Sequence, residues 1–588
     1  MNHELPTPFL VFDFDNESDI HQRRVFSNPI QVISAYRVDE VEAALSEVQI
    51  AVQKGYYAAG FLSYEAAAAF DAAYRVSKEH QMPLLWFGIF SNPQDQIDVE
   101  WKSCYTVSKW RPETSKEEYT RSIKYIKERI AAGDTYQVNY TLRLRAHFEG
   151  DDLGYYHFLR EVQEAKYSAY LHIGDFHILS VSPELFFRTS GRTIITRPMK
   201  GTMSRGRWLE EDLAHATSLA ESQKNRAENV MVTDLLRNDL SRIAEVGTVK
   251  VPHLFAIEQY PTVHQMTSTV TAEMEQSTTL TDILHALFPS GSITGAPKIN
   301  TMHIISELES QPREIYCGAI GLIEPNGNAT FNVAIRTLYI NCQTGACEYS
   351  VGGGITWDST VEEEYLEALT KAALLEVKNI PFELLETLKL KNGEYTYLNK
   401  HITRLLESAQ FFAIPLHIDN IIKQLSEHAQ QFRHEPRRVR LLVARSGDAR
   451  VESSHLQELP PTTQLITLAT SAISKNQWFL YHKTTYRHMY EWQRSQHPTF
   501  FDVLLWNDHH EITEFTNGNI VLEIDGQKVT PARDCGLLAG TFRAVLLNEG
   551  VIQETVISLT DLHRVTQIWF INSVRGWVKV KLENKLNF

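Results

Sequence analysis

The stretch Glu314-Ile-Tyr-Cys-Gly-Ala-Ile-Gly-Leu-Ile-Glu-Pro-Asn-Gly-Asn-Ala-Thr-Phe-Asn-Val-Ala-Ile-Arg-Thr-Leu-Tyr-Ile340 decides the fold class. It reads as two strands joined at Asn326-Gly327, because Asn-Gly between apolar runs is the strongest short-range hairpin signal. A further strand is expected in Cys347-Glu-Tyr-Ser-Val-Gly-Gly-Gly-Ile-Thr356. The same grammar recurs in Arg438–Val451 around Gly447-Asp448 and in Ile520–Thr530 around Asp525-Gly526. Hairpins in series imply antiparallel sheets with helices packed on them. The class is therefore α+β rather than a doubly wound parallel sheet.

Helical signals lie between these hairpins. Thr114-x-x-Glu117 is a capping-box pattern. Tyr119, Ile123, Ile126 and Ile130 then share one face, and Gly133 marks the stop. A junction is expected at Glu376–Phe382, since Pro381 cannot continue the preceding helix and Asn392-Gly393 opens a new hairpin. The expected division is 1–378, itself split into 1–114 and 115–378, followed by 379–588.

The chain has 588 residues, of which 43% are apolar and 22% charged, the balance of a globular protein. Its 57 Lys and Arg against 72 Asp and Glu give a net charge of −15, which argues against nonspecific binding to nucleic acid or anionic membranes. The N-terminal Met1–Asp15 lacks the basic and apolar regions of a signal peptide, and no stretch approaches about 18 uncharged apolar residues. A cytoplasmic location is expected. Five cysteines, an odd and sparse set, suggest a reducing compartment. Cys342 and Cys347 fall in a turn-rich segment, and no other Cys or His cluster is expected to complete a zinc site.

Two helical segments carry polar side chains three apart: Asn225 and Glu228, then Glu364 and Glu367. Carboxylates on one face suit Mg²⁺, although the same spacing also describes a solvated face. Gly352-Gly353-Gly354 is either a tight turn or backbone approaching an anionic ligand.

Taken in order, the motifs are more specific. Gly133-Asp-Thr-Tyr-Gln-Val-Asn139, Ser182-Pro-Glu184, Arg197-Pro-Met-Lys-Gly-Thr202, Lys224-Asn-Arg-Ala-Glu228, Arg237-Asn-Asp239 and Val263-His264 come first. Thr294-Gly-Ala-Pro-Lys298, Ala334-Ile-Arg-Thr337, Gly352-Gly-Gly-Ile355 and Glu364-Tyr-Leu-Glu367 follow. This series resembles the chorismate-utilising enzymes strongly over about 115–378. Residues 1–114 match more loosely, through Gly60-Phe-Leu-Ser-Tyr-Glu65.

The resemblance implies roles. Gln137 stands where water-adding isochorismate synthases carry Lys, and an amide cannot act as a general base. Lys200 stands where anthranilate synthases have Ala, as it does in aminodeoxychorismate synthases, and is implied to be a covalent nucleophile. Glu184 is implied to be the acid for the departing hydroxyl, and Glu228, Glu364 and Glu367 the Mg²⁺ ligands. Arg336, Gly353 and Gly354 would hold the carboxylate of chorismate, with Tyr316, His264, Thr294 and Gln137 also at the substrate. Asn225 departs from the family's usual Glu or Asp. No cysteine has Gly on both sides, so the family implies a separate glutamine amidotransferase subunit supplying ammonia.

In the last part, His401-x-x-Arg404, Ser408-Ala409, Lys483, Glu514, Gly540-Thr541 and Asn572-Ser-Val-Arg-Gly576 resemble the fold-type IV pyridoxal-phosphate enzymes. The resemblance makes Lys483 the cofactor-bonding lysine and proton carrier, and Glu514 the partner of the pyridinium nitrogen. Arg404, Gly540, Thr541 and Ser573 would hold the phosphate. Lys483-Thr-Thr-Tyr-Arg487 and the Asn572–Gly576 motif resemble the aminodeoxychorismate lyase branch, while an aminotransferase remains open. A homodimer through this part is a family expectation. The rivals are an anthranilate-type synthase fused to an aminotransferase and a catalytically silent scaffold. Lys200 speaks against the first and the complete residue sets against the second.

Overall fold

The structure is a computed structural model that describes residues 6–16, 20–94, 104–375, 381–460 and 462–583. The chain forms two compact units, Met1–Ser204 with Ala216–Asn379, and Arg205–His215 with Ile380–Phe588. The expected division placed Arg205–His215 in the first part; by its contacts the segment belongs to the second. Buried Arg205 pairs with Asp212 at 2.7 and 2.9 Å and donates to the Phe411 carbonyl at 2.6 Å. The expected junction at 376–380 lies outside the described residues.

The first unit has two large sheets, and every strand pair in them is antiparallel. One contains Gln137–Gly150, Ala346–Ile355, Thr337–Asn341, Phe176–Ser182, Tyr167–His172 and Phe9–Asp15 as successive neighbours. The other runs Met199–Ser204, Val263–Glu273, Thr193–Arg197, Leu185–Ser190, Ala329–Val333, Ala319–Ile323 and onward to Gln31–Ala35. Leu10, Phe12 and Ile178 of the first sheet pack with Phe61, Trp86 and Ile320 of the second in one apolar layer. Helices cover the outer faces, and their apolar sides make two further clusters.

The Asn326-Gly327 hairpin forms between Ala319–Ile323 and Ala329–Val333, with Gly327 at φ 84°. The stretch nevertheless holds three strands, not two. After Val333 the chain leaves one sheet and enters the other as Thr337–Asn341. Arg336, at φ 50°, sits at this crossing, a left-handed conformation that a non-glycine residue adopts only where surroundings hold it. The capping box is also one residue later than expected. Ser115 caps Lys116–Ala131, with Glu118 N donating to Ser115 Oγ at 3.2 Å and Ser115 N donating to the Glu118 carboxylate. Thr114-x-x-Glu117 and Ser115-x-x-Glu118 spell the same motif. Tyr119, Ile123 and Ile126 are buried as the periodicity predicts.

The second unit has a four-stranded antiparallel sheet bearing helices Leu398–Phe411 and Ile418–Gln431, and an eight-stranded sheet. Both hairpins expected here form, around Gly447-Asp448 and Asp525-Gly526, but the eight-stranded sheet is mixed rather than wholly antiparallel. Gln464–Leu468 pairs in parallel with both Asp502–Trp506 and Gly576–Leu582, and Gln527–Pro531 pairs in parallel with Gln553–Thr555. Parallel pairs need long crossover connections, which leave no turn signature between the partners. Among the described residues no helix is long and apolar enough to cross a membrane.

Candidate functional site

In the first unit, alternation along Gln137–Gly150 sends Val138, Tyr140, Leu142 and Leu144 into the apolar layer under the helices. Gln137, Asn139, Thr141 and Arg143 therefore point to the opposite face. There a cavity of about 330 Å³ opens, lined by Glu184, Lys200, Glu228, Tyr316, Arg336, Gly354, Glu364 and Glu367 among others. Eight of the residues expected at the site thus share one space.

Lys200 owes its aim to a bulge. Register slips between Met199↔Thr267 and Thr202↔Gln265, so Lys200 and Gly201 oppose a single residue, and Gly201 takes φ 97°. Asn229, on helix Gln223–Ser241, fixes the bulge by donating to the Lys200 carbonyl at 3.2 Å and to the Met266 carbonyl at 3.4 Å. Burial pushes the Lys200 ammonium below its usual range, with Lys371 adding to the effect, while Glu228, Glu184 and Glu367 oppose it. Burial likewise raises Glu184 to about 7, against a Ser292 hydrogen bond and the Lys200 charge. The site therefore holds a lysine eased toward its nucleophilic neutral form and a carboxyl eased toward its acid form.

The Gly-rich strand makes room for these groups. A Cβ on Gly354 would lie 2.1 Å from Gln137 Nε2 and 2.9 Å from Lys200 Nζ. One on Gly353 would lie 2.8 Å from Glu364 Oε2. Gly353 does not line the cavity; its missing side chain admits the Glu364 carboxylate. Gln137 is 1% exposed, and its Oε1 is buried without a hydrogen-bond partner. Thr294 is also buried. Its hydroxyl donates to the Ser290 carbonyl at 3.1 Å and its own carbonyl accepts from Asn139 N at 2.8 Å, so it supports a lining residue. His264 lies in Val263–Glu273 opposite Met203 and is likewise outside the lining set.

The three glutamates fit a hard divalent cation by donor type. Burial raises both Glu228 and Glu364, the latter against a 2.6 Å hydrogen bond from Ser359. Burial also works to raise Glu367, but Lys371, 2.6 Å away, brings it below the usual range. Glu364 is buried, Glu228 half-buried and Glu367 exposed. A cation would relieve Glu228 and Glu364, whose charged forms burial disfavours. The oxygens of the three do not form a group within 4.8 Å of one another among the described residues. Mg²⁺ does not require that, since it keeps several waters and takes one or two carboxylates. Asn225 lines the cavity, its Nδ2 donating to Ser222 Oγ at 2.9 Å.

Sequence reasoning missed Asn229, Lys371 and Arg313. Lys371 donates to the Gly352 carbonyl at 2.8 Å, and its own carbonyl accepts from Arg336 Nη1. Arg313, 1% exposed, binds Glu309 at 2.7 and 2.8 Å and the carbonyls of Asn139 and Ile293 at 2.8 and 3.0 Å. Only the Glu309/Arg313 spacing of four could have signalled that pair. Arg313→Ala would strand Glu309 as an unpaired buried charge and is expected to cost about 3–5 kcal/mol. Urea unfolding checks this, and a loss below about 1 kcal/mol, the range of an exposed pair, would contradict it.

In the second unit Glu514 is buried and Lys483 half-buried, and each feels the other's charge. Burial lowers the Lys483 ammonium to about 7, helped by Arg487 and Arg404, while Glu386 and Glu514 oppose it. Burial raises Glu514 to about 7 although Tyr490 donates to it at 2.8 Å and Leu538 N at 3.2 Å. Asn519 ties Glu514 to the approach of the last helix, donating to Glu514 at 3.3 Å and to the Leu538 carbonyl at 2.8 Å. Gly540 caps helix Thr541–Asn548 with no side-chain cap, leaving the first N–H groups for an anion. A Cβ there would lie 2.0 Å from Asn519 Oδ1. Arg404 is clamped by Glu386 at 2.7 and 2.9 Å and reaches the Ala539 carbonyl at 3.3 Å. Glu386, 1% exposed, also takes His401 at 2.6 Å, and His401 contacts the Thr541 hydroxyl at 3.3 Å. Ser573 follows strand Val565–Asn572, and Asn572 donates to the Asn517 carbonyl at 3.1 Å. Lysine, buried carboxyl, arginine and bare helix start are a donor set that fits pyridoxal phosphate. Glu386 and Tyr490 were not foreseen.

The family of the chorismate binding enzymes matches residues 103–376. Aminodeoxychorismate synthase component 1 of Bacillus subtilis (strain 168) is 37% identical over 332 residues, 53% of this chain and 68% of its own length. The chain belongs to the chorismate binding enzymes. The Escherichia coli (strain K12) protein of the same name is 43% identical over 264 residues, 45% of this chain. That match spans only 58% of the E. coli protein. The crystal structure of anthranilate synthase component I from Streptococcus pneumoniae TIGR4 shares the fold, with a TM-score of 0.52 at 23% identity. It covers 64% of this chain and 94% of that one. Residues 383–582 match the amino-transferase class IV family, so a chorismate-binding part precedes a class IV part in one chain.

Proposed function

We propose that the chain makes 4-aminobenzoate from chorismate and ammonia in two steps. The observation that carries the reading is the half-buried Lys200 on its bulge, sharing one cavity with buried Glu184. The neutral Lys200 amine attacks C2 of the ring, and Glu184 protonates the C4 hydroxyl, which leaves as water. Ammonia then adds at C4 as the bond from C2 to Lys200 breaks, giving 4-amino-4-deoxychorismate. Gln137 beside Lys200 has no basic lone pair with which to activate water, which favours amination over hydration. Arg336, Tyr316 and the Gly352–Gly354 backbone orient the substrate, with Thr294 and His264 supporting the walls. Glu228, Glu364 and Glu367 would hold Mg²⁺, which supplies positive charge for a substrate carboxylate.

In the second unit the aminated product places its C4 beside Lys483, which takes the C4 proton. Pyruvate departs and the ring becomes aromatic. Pyridoxal phosphate, when bound, supplies the electron sink. Glu514 would face its ring nitrogen, and Arg404, Thr541, Ser573 and the bare helix start at Gly540 its phosphate. The lyase reading over an aminotransferase rests on the Lys483–Arg487 motif and on the first site's product being a lyase substrate. Ammonia comes from a separate glutamine amidotransferase subunit, and a folate-precursor role in the cytoplasm follows from the product. Self-association through the class IV part belongs to the same proposal.

The test is product analysis. Purified protein given chorismate, ammonium, Mg²⁺ and pyridoxal phosphate should release 4-aminobenzoate and pyruvate in equal amounts. Anthranilate in their place would overturn the first assignment. Aminodeoxychorismate without pyruvate would overturn only the second.

A further inference from the structure

The sequence reading found no partners for Cys342 in a metal site, yet folding supplies two. The antiparallel pair Tyr167–His172 and Phe176–Ser182 sets His172 opposite His177, and their rings stack with centroids 4.1 Å apart. Thr337–Asn341 lies alongside Phe176–Ser182, with Asn341 opposite Phe176. Cys342 follows directly and is pinned there, its N–H donating to the Asp175 carbonyl at 2.9 Å. One ligand atom from each of His172, His177 and Cys342 then lies within 4.8 Å of the others.

Two details distinguish this from chance proximity. His177 Nδ1 faces Asp152 Oδ2 at 2.7 Å and the Tyr170 hydroxyl at 3.0 Å. A carboxylate holding one ring nitrogen and freeing the other is how metal-binding histidines are usually oriented. His172 Nδ1 is buried and makes no hydrogen bond, a nitrogen left without the partner that burial normally demands. Cys342 is exposed, which gives an ion a way in and leaves room for a water ligand.

We propose that His172, His177 and Cys342 bind one thiophilic divalent cation of the Zn²⁺ class, with water in a fourth position. Two imidazoles and a thiolate suit zinc, whereas the Glu228, Glu364 and Glu367 set suits hard Mg²⁺. The ion would tie the 173–175 turn to the strand that follows Arg336, a crosslink between segments about 170 residues apart in sequence.

Co²⁺ titration of the full-length, chelator-treated protein in excess Mg²⁺ tests this. One equivalent should give visible d–d bands and a thiolate charge-transfer band, both removed by competing Zn²⁺. Cys342→Ser should lose the charge-transfer band and weaken binding at least tenfold, and His172→Gln should weaken it similarly. Cys104→Ser, at another exposed cysteine, should change neither. Zn²⁺ should raise the melting temperature of the parent and not of Cys342→Ser, whose chorismate turnover should equal the parent's. Absence of cobalt bands, or a charge-transfer band that survives in Cys342→Ser, would overturn the site.

Discussion

Lys200→Ala is expected to cut amination of chorismate by about a thousandfold or more, the scale of losing a nucleophile, or at least about 4 kcal/mol of transition-state stabilisation. The variant should fold. A lysine whose folded pKa is depressed binds fewer protons in the native than in the unfolded chain, so its charge opposes folding below the unfolded value. Removing it relieves that cost, and Lys200→Met, which keeps the buried stem, should melt no lower than the parent. The decisive measurement supplies 4-amino-4-deoxychorismate to Lys200→Ala. Conversion to 4-aminobenzoate should continue at the parental rate, because Lys483 lies in the other unit. Parental amination by Lys200→Ala would end the covalent-lysine assignment.

Lys483→Ala is expected to leave amination intact and reduce pyruvate release by a similar factor, about a thousandfold or more. Aminodeoxychorismate should accumulate in proportion to chorismate consumed. The same substitution has a stability signature in the cofactor-free protein. Burial lowers Lys483 to about 7. The unfolded chain therefore holds the extra proton between that pH and the ordinary lysine value, and parental stability should rise with pH across this window. Lys483→Met should flatten the rise. Denaturant midpoints measured from pH 7 to 9.5 check it, and equal slopes in the two proteins would contradict the burial argument. Pyruvate release by Lys483→Ala at the parental rate would move the proton transfer to another base.

Much of the fold was legible because turn chemistry is local. Asn326-Gly327, Asn392-Gly393 and Asp525-Gly526 all sit at positive φ where the hairpins turn, in at least their glycine. The Lys116–Ala131 helix showed its face through Tyr119, Ile123 and Ile126, although its capping box is Ser115-x-x-Glu118, one residue later than the expected Thr114-x-x-Glu117. The parallel pairs of the second unit were not legible. Gln464–Leu468 and Gly576–Leu582 are more than a hundred residues apart, and no intervening turn records their meeting. Arg313 and Asn229 were missed for a related reason, since each acts by bonding carbonyls that any sequence would present.

The sequence by itself determined the local grammar and the side-chain types: the glycine turns, the helix faces, the lysine at 200, the amide at 137 and the lysine at 483. Those depend on covalent identity and near neighbours. Tertiary structure alone decided which strand enters which sheet after Arg336, that Arg205–His215 joins the second unit, and that His172, His177 and Cys342 meet. It also decided the chemistry of the charged groups. Lys200, Glu184, Lys483 and Glu514 owe their shifts first to desolvation, and desolvation exists only once the chain has closed around them.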